Sequence, residues 1–149
     1  WVDLIGVRAF PKFKRWEDDR QDKVVKAFAR FSSVPVINME TITHPCQELA
    51  LALTLREHLG DAPPGDGKKF LLTWTYHPRP LNTAVANSGV LIAKKLGFDV
   101  HLLCPTPEYV LDPRYMEGVK VTHDTIVALL DRLDHHYRGE RYRVSPYLK

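Results

Sequence analysis

The feature that most constrains this chain is an alternation. Short apolar runs rich in β-formers lie at 2–7 (VDLIGV), 34–39 (VPVINM), 70–75 (FLLTWT), 98–104 (FDVHLLC) and 119–123 (VKVTH). Longer segments with helical patterning separate most of them. WEDDRQDKVVKAFARFS (16–32) carries its acidic residues first and its basic ones later. It sets Val24, Val25, Phe28 and Phe31 on one side, and so predicts a single amphipathic helix. ELALALTLREHLG (48–60) has leucines at 49, 51, 53 and 55 that alternate like a strand. Its residues are nevertheless strong helix formers, which predicts a largely buried helix ending at Gly60. NTAVANSGVLIAKKLG (82–97) predicts a helix stopped by Gly97, and DTIVALLDRLDHHYRG (124–139) another, with Asp124 as its N-cap. PTPEYVLDPRYMEG (105–118) reads as a proline-punctuated loop with one or two helical turns.

Strands separated by helical crossovers must run parallel, because a tight hairpin can only reverse direction. The predicted class is therefore α/β, with doubly wound, mostly parallel sheets. DAPPGDGKK (61–69) is the clearest linker. It divides the 149 residues into the end of one α/β domain with its connecting helix (1–60) and the start of another (61–149).

Composition narrows the function classes. The net charge of +3 comes with no dense Lys/Arg stripe, which argues against nucleic acid and suits a small anionic substrate equally well. No apolar run is long enough to span a membrane, and no signal-peptide pattern opens the chain. Cys46 and Cys104 are far apart and form no CxxC pair, which points to free thiols in a reducing, cytoplasmic compartment. The opening WVDLIGV starts as though already inside a strand, and a fragment of a longer protein is the expectation.

In open α/β sheets, ligands bind beyond the carboxyl ends of the strands. Those ends carry Arg8, the stretch from Glu40 to Gln47, the stretch from Tyr76 to Asn82, and CPTPE at 104–108. In HPCQ (44–47), Pro45 suits the first turn of a helix, where its missing N–H costs nothing. The N–H groups beside it favour a phosphate or carboxylate. His44 can donate a hydrogen bond, and Gln47 can donate and accept. Taken alone, these four residues fit a helix cap with an incidental histidine better than a ligand site. Alone, Arg8 reads as a surface arginine, Glu40 as a solvated or ion-paired carboxylate, and Asn82 as a helix cap. Cys46 reads as a small spacer with no general base beside it. His135 and His136 are adjacent rather than three or four apart, which disfavours a metal site. Neither GxGxxG nor GxxxxGK[ST] occurs.

Longer wording reverses those odds. HPCQ resembles the HPxQ motif of the aspartate/ornithine carbamoyltransferase superfamily. VDLIGVRAFPKF, PVINMETITHPCQELA, LTWTYHPRPLNTAVANS and LLCPTPEYVLDPRYM together resemble its N-acetylornithine carbamoyltransferase branch, in register from about Val2 to about Met116. The resemblance implies a carbamoyl-phosphate-binding domain and an amino-acid-binding domain, with sites near the subunit interfaces of a homotrimer. It implies transfer of the carbamoyl group of carbamoyl phosphate to the δ-amine of N-acetyl-L-ornithine, in arginine biosynthesis, without metal or other cofactor. Matched residue by residue, Arg8, His44, Pro45, Cys46 and Gln47 correspond to carbamoyl phosphate contacts, with Arg8 and His44 catalytic. Glu40 and Asn82 correspond to contacts of acetylornithine.

The family pattern also has parts that this chain lacks. A Ser-x-Arg-Thr phosphate loop and a tryptophan-bearing loop are expected upstream of Arg8; a substrate lysine, a Cys-Leu-Pro segment and an arginine are expected downstream. From about residue 117 the wording departs from the family, and TIVALLDRLDHHYRGERYRVSPYLK matches nothing recognisable in it. Weak or no activity of the chain alone is therefore expected. The competing readings are a truncated, non-catalytic anion-binding module and a carbamoyltransferase for ornithine or N-succinylornithine.

Overall fold

The computed structural model describes residues 1–12, 14–61, 63–74, 82–104 and 107–123. The first strands, β1 (Ile5–Arg8) and β2 (Val36–Glu40), pair in parallel. Two helices connect them, α1 (Trp16–Asp19) and α2 (Lys23–Phe31). Where the sequence predicts one helix over 16–32, the chain breaks at Asp22, which takes a left-handed conformation (φ 54°). A tertiary bond accompanies the break. The Asp22 carboxylate accepts a hydrogen bond from the Thr41 hydroxyl at 2.8 Å. Asp is among the few residues that tolerate this backbone region. The apolar side of α2 forms as expected but stays uncovered, with Val24, Phe28 and Phe31 exposed.

Helix α3 (Pro45–Leu59) ends at Gly60, whose φ of 91° favours glycine. Its existence and its end match the sequence pattern; its burial does not. No residue of α3 is buried, and Leu49 and Leu53 are 69% and 59% exposed. The helix packs one face on α4 (Ala84–Lys95) and contributes Leu55 to the core margin, so its alternating leucines are split between inside and outside.

The second sheet has the order β3 (Lys69–Thr73), β4 (Asp99–Cys104), β5 (Lys120–His123), parallel throughout. Parallel strands with helical crossovers are the α/β class that the alternation predicts. Val100, Leu102 and Cys104 of β4 are buried in strict alternation. Val100 packs in a core cluster with Val90 and Ala93 of α4, Leu111 and Tyr115. A short helix, α5 (Pro113–Met116), supplies that tyrosine. Residues 63–68 form neither helix nor strand, yet they are fastened to the end of α4. Pro64 and Gly65 are buried, and the Gly65 N–H donates to the Leu96 carbonyl at 3.0 Å. The predicted helix over 124–139, Asp124, Tyr76, and the pair His135 and His136 lie outside the described residues.

Candidate active site

A register irregularity builds the site. Ile5, Gly6 and Val7 pair in step with Val36, Ile37 and Asn38, but Arg8 then pairs with Glu40 and skips Met39. An extra residue on one strand re-aims the side chains beyond it. Here it places the Arg8 guanidinium Nη2 2.7 Å from the Glu40 carboxylate Oε2. The Arg8 side chain is more than half exposed, whereas that of Glu40 is 11% exposed. The aromatic ring of Phe10 lies under the guanidinium, 4.9 Å from its centre.

His44 is the N-cap of α3 and Pro45 occupies its first turn, as the sequence pattern requires. The cap is made by the imidazole. Its Nδ1 accepts the backbone N–H of Gln47 at 3.2 Å. An Nδ1 that accepts assigns the proton of the neutral ring to Nε2. That Nε2 lies 3.7 Å from Glu40 Oε2. A donor imidazole and a guanidinium thus converge on one carboxylate at the carboxyl ends of two adjacent strands. Cys46 and Gln47 are exposed on the same first turn. Asn82 is brought to this loop from the other half of the chain. Its Nδ2 donates to the Thr41 carbonyl at 2.5 Å, while its Oδ1 accepts the Ala84 N–H at 3.2 Å. It therefore works as a tie and as part of the start of α4, whose N-cap is Thr83.

Sequence reading misses four residues of this neighbourhood. They are half-buried Asp22, buried Thr41, and two buried polar residues of α4, Asn87 (1% exposed) and Ser88 (0%). Asn87 Nδ2 donates to the Ile42 carbonyl at 2.8 Å, and Ser88 Oγ accepts the His44 N–H at 2.8 Å. The available signal was an adjacent Asn–Ser pair inside an otherwise apolar helix, because buried polar groups are kept only with partners.

The remaining chemistry-bearing groups separate from the site. Cys104 is buried, which pushes its thiol above the ordinary value, and its Sγ lies 3.4 Å from His123 Nδ1. Among the described residues no group of three or more His, Cys, Asp or Glu is placed to hold a metal ion. No described helix is long and apolar enough to cross a membrane.

No family model matches the sequence. Individual relatives do. The chain is 69% identical over 117 residues to the N-acetylornithine carbamoyltransferase of Xanthomonas campestris pv. campestris, covering 78% of the chain and 34% of that protein. It is 60% identical over 143 residues to the enzyme of the same name from Xylella fastidiosa strain Temecula1, covering 93% and 42%. That second alignment runs well past residue 117, so similarity to the family extends into the segment that sequence reading sets apart. A crystal structure of acetylornithine transcarbamylase complexed with acetylcitrulline superposes with a TM-score of 0.79 at 61% identity, over 83% of this chain and 40% of that one. The chain spans about a third to two-fifths of the length of the relatives it matches. In sequence and in fold, this chain is similar to part of the N-acetylornithine carbamoyltransferases.

Proposed function

We propose that these residues supply half of a carbamoyl phosphate site and part of an amino-acid site. The parent reaction would transfer the carbamoyl group of carbamoyl phosphate to the δ-amine of N-acetyl-L-ornithine, giving N-acetyl-L-citrulline and phosphate. The observation that carries this reading is the convergence of Arg8, Glu40 and His44 beside the first turn of α3. In the reaction the amine attacks the carbonyl carbon, a tetrahedral oxyanion develops, and phosphate leaves. Arg8 balances charge on the phosphate and carbonyl oxygens, and the His44 Nε2–H donates to the carbonyl oxygen as charge builds there. Gln47 orients the carbamoyl amide, while Pro45 and Cys46 shape the turn. Glu40, with Asn82 beside it, faces the amino-acid substrate.

In this reading residues 1–60 belong to the carbamoyl-phosphate-binding domain and 61–149 to the amino-acid-binding domain. The enzyme acts as a homotrimer in the cytoplasm, in arginine biosynthesis. The substrates are held without a metal or other cofactor. The preference for the acetylated substrate rests on the 60–69% identity to acetylornithine enzymes, against 35% to the N-succinylornithine carbamoyltransferase of Bacteroides thetaiotaomicron. The second reading is an anion-binding module without turnover.

Calorimetric titration of the purified chain with carbamoyl phosphate, alongside an assay for acetylcitrulline formation, tests both. Binding abolished by R8A and H44A supports the site. Turnover by the chain rules out the module, which allows binding alone. Absence of any binding overturns the site assignment.

A further inference from the structure

The loop from Thr41 to His44 hangs from the second half of the chain by three hydrogen bonds to backbone groups. Asn82 Nδ2 takes the Thr41 carbonyl at 2.5 Å, Asn87 Nδ2 the Ile42 carbonyl at 2.8 Å, and Ser88 Oγ the His44 N–H at 2.8 Å. All three side chains come from α4 or the residues just before it. Thr41, Ile42, Asn87 and Ser88 are each at most 5% exposed, so water does not stand in for these partners. The Ser88 bond matters most for chemistry. An N-cap residue has no acceptor for its own N–H within its helix, so Ser88 is what fastens the His44 N–H, while the His44 carbonyl takes the Glu48 N–H of α3 at 3.0 Å. The imidazole is fastened separately, by Gln47 N–H on Nδ1 at 3.2 Å. With the backbone held at its N–H from outside the helix and at its carbonyl from within it, and the ring held at Nδ1, the direction of Nε2 toward Glu40 is set.

We propose that Ser88, supported by Asn87, is a positioning residue for the His44 donor, one that ties the donor's place to helix α4 of the second sheet. It touches no substrate. Its action passes through the His44 peptide, so that a displacement of α4 moves the imidazole. This inference rests on the reading of His44 as the group that polarises the carbamoyl carbonyl. The hydrogen bonds that carry it do not.

Three measurements on the full 149-residue chain test the proposal. The first needs no variant. The His44 amide, which α3 itself cannot protect, should exchange with solvent at least about 100-fold more slowly than a free amide, and free exchange overturns the proposal. The second follows the ring nitrogens of His44 by NMR, assigned with H44Q. In S88A the single Nδ1-accepting tautomer should give way to averaging, and in S88C the change should be smaller, because a thiol is a weak acceptor of similar size. The third measures carbamoyl phosphate affinity, which should fall about tenfold in S88A and less in S88C. Variants that lose thermal stability but keep wild-type ring signals and affinity assign Ser88 a merely structural role and overturn the proposal. Where S88A fails to fold, S88C is read by itself, and signals identical to wild type overturn it. A wild-type chain that binds no carbamoyl phosphate defeats the functional reading, while the amide exchange and ring signals still decide the role of Ser88.

Discussion

Arg8 and Glu40, which the family resemblance assigns to two different substrates, are each other's partner, with Nη2 and Oε2 2.7 Å apart. The pairing is a consequence of the skipped Met39 in the β1–β2 register, which sets the last residues of the two strands side by side. An anion arriving at Arg8 must therefore compete with the Glu40 carboxylate, which also repels it directly.

E40Q keeps the shape of the side chain and removes its charge. It is expected to bind inorganic phosphate roughly fivefold more tightly than wild type, the order of a partly exposed ion pair. The gain should shrink as salt screens the charges. Calorimetry at low and high ionic strength measures both, and equal or weaker binding by E40Q contradicts the competition.

Asp112 joins the two halves of the chain. Its carboxylate is 3% exposed and accepts from the Trp16 indole N–H, from the Arg114 backbone N–H at 3.0 Å, and from Arg20 Nη2 at 3.5 Å. D112A strands these donors and should lower unfolding stability by about 2–4 kcal/mol. D112N keeps an acceptor and the helix cap, and should lose about half as much. Chemical denaturation of the three proteins side by side decides the order.

Gly65 sits where no side chain fits. A Cβ there would lie 2.3 Å from the Phe98 backbone nitrogen and 2.6 Å from the Gly97 carbonyl carbon. Both are main-chain atoms that cannot rotate aside, so G65A must push the 61–69 segment off the α4–β4 corner. The expected cost is about 1–3 kcal/mol. A substitution tolerated without loss of thermal stability would show that this segment is a free tether.

Asp99 makes stability depend on acid. Hydrogen bonds from Lys120 Nζ at 2.7 Å and from His101 Nε2 at 2.9 Å hold its carboxyl below the ordinary value of 3.8. The unfolded chain then takes up the proton first as pH falls. The contribution is thus complete above the ordinary value and is lost as pH drops through the lowered folded one. Wild type should melt above D99N at pH 6 and converge with it in strong acid. Because the group is solvent-exposed, the gap should also narrow in high salt. A gap independent of pH would assign the effect to something other than this charge.

Much of the architecture was legible because it depends on local chemistry. β-formers in short runs, helix formers in long ones, Gly60 after the last turn of α3 and Pro45 in its first all act within a few residues of themselves. Burial was less legible. The leucines of α3 predict a covered helix, yet only one of its faces meets α4, and what lies against a face is a property of distant chain. Continuity of pattern failed at 16–32 for a similar reason. Nothing local marks Asp22 as a break, because the group that holds its carboxylate, the Thr41 hydroxyl, is remote in sequence.

By itself the sequence determined the parallel α/β class, the helix start at His44–Pro45, and the residue types from which an anion site can be assembled. Only the tertiary structure decided that Arg8 faces Glu40, since a one-residue shift in strand register exchanges the side chains that meet. It alone placed Ser88 beneath the His44 peptide and made Nε2 the donor, because both depend on which hydrogen-bond partners the fold brings within reach. Propensity acts along the chain, whereas the direction of a proton is set across it.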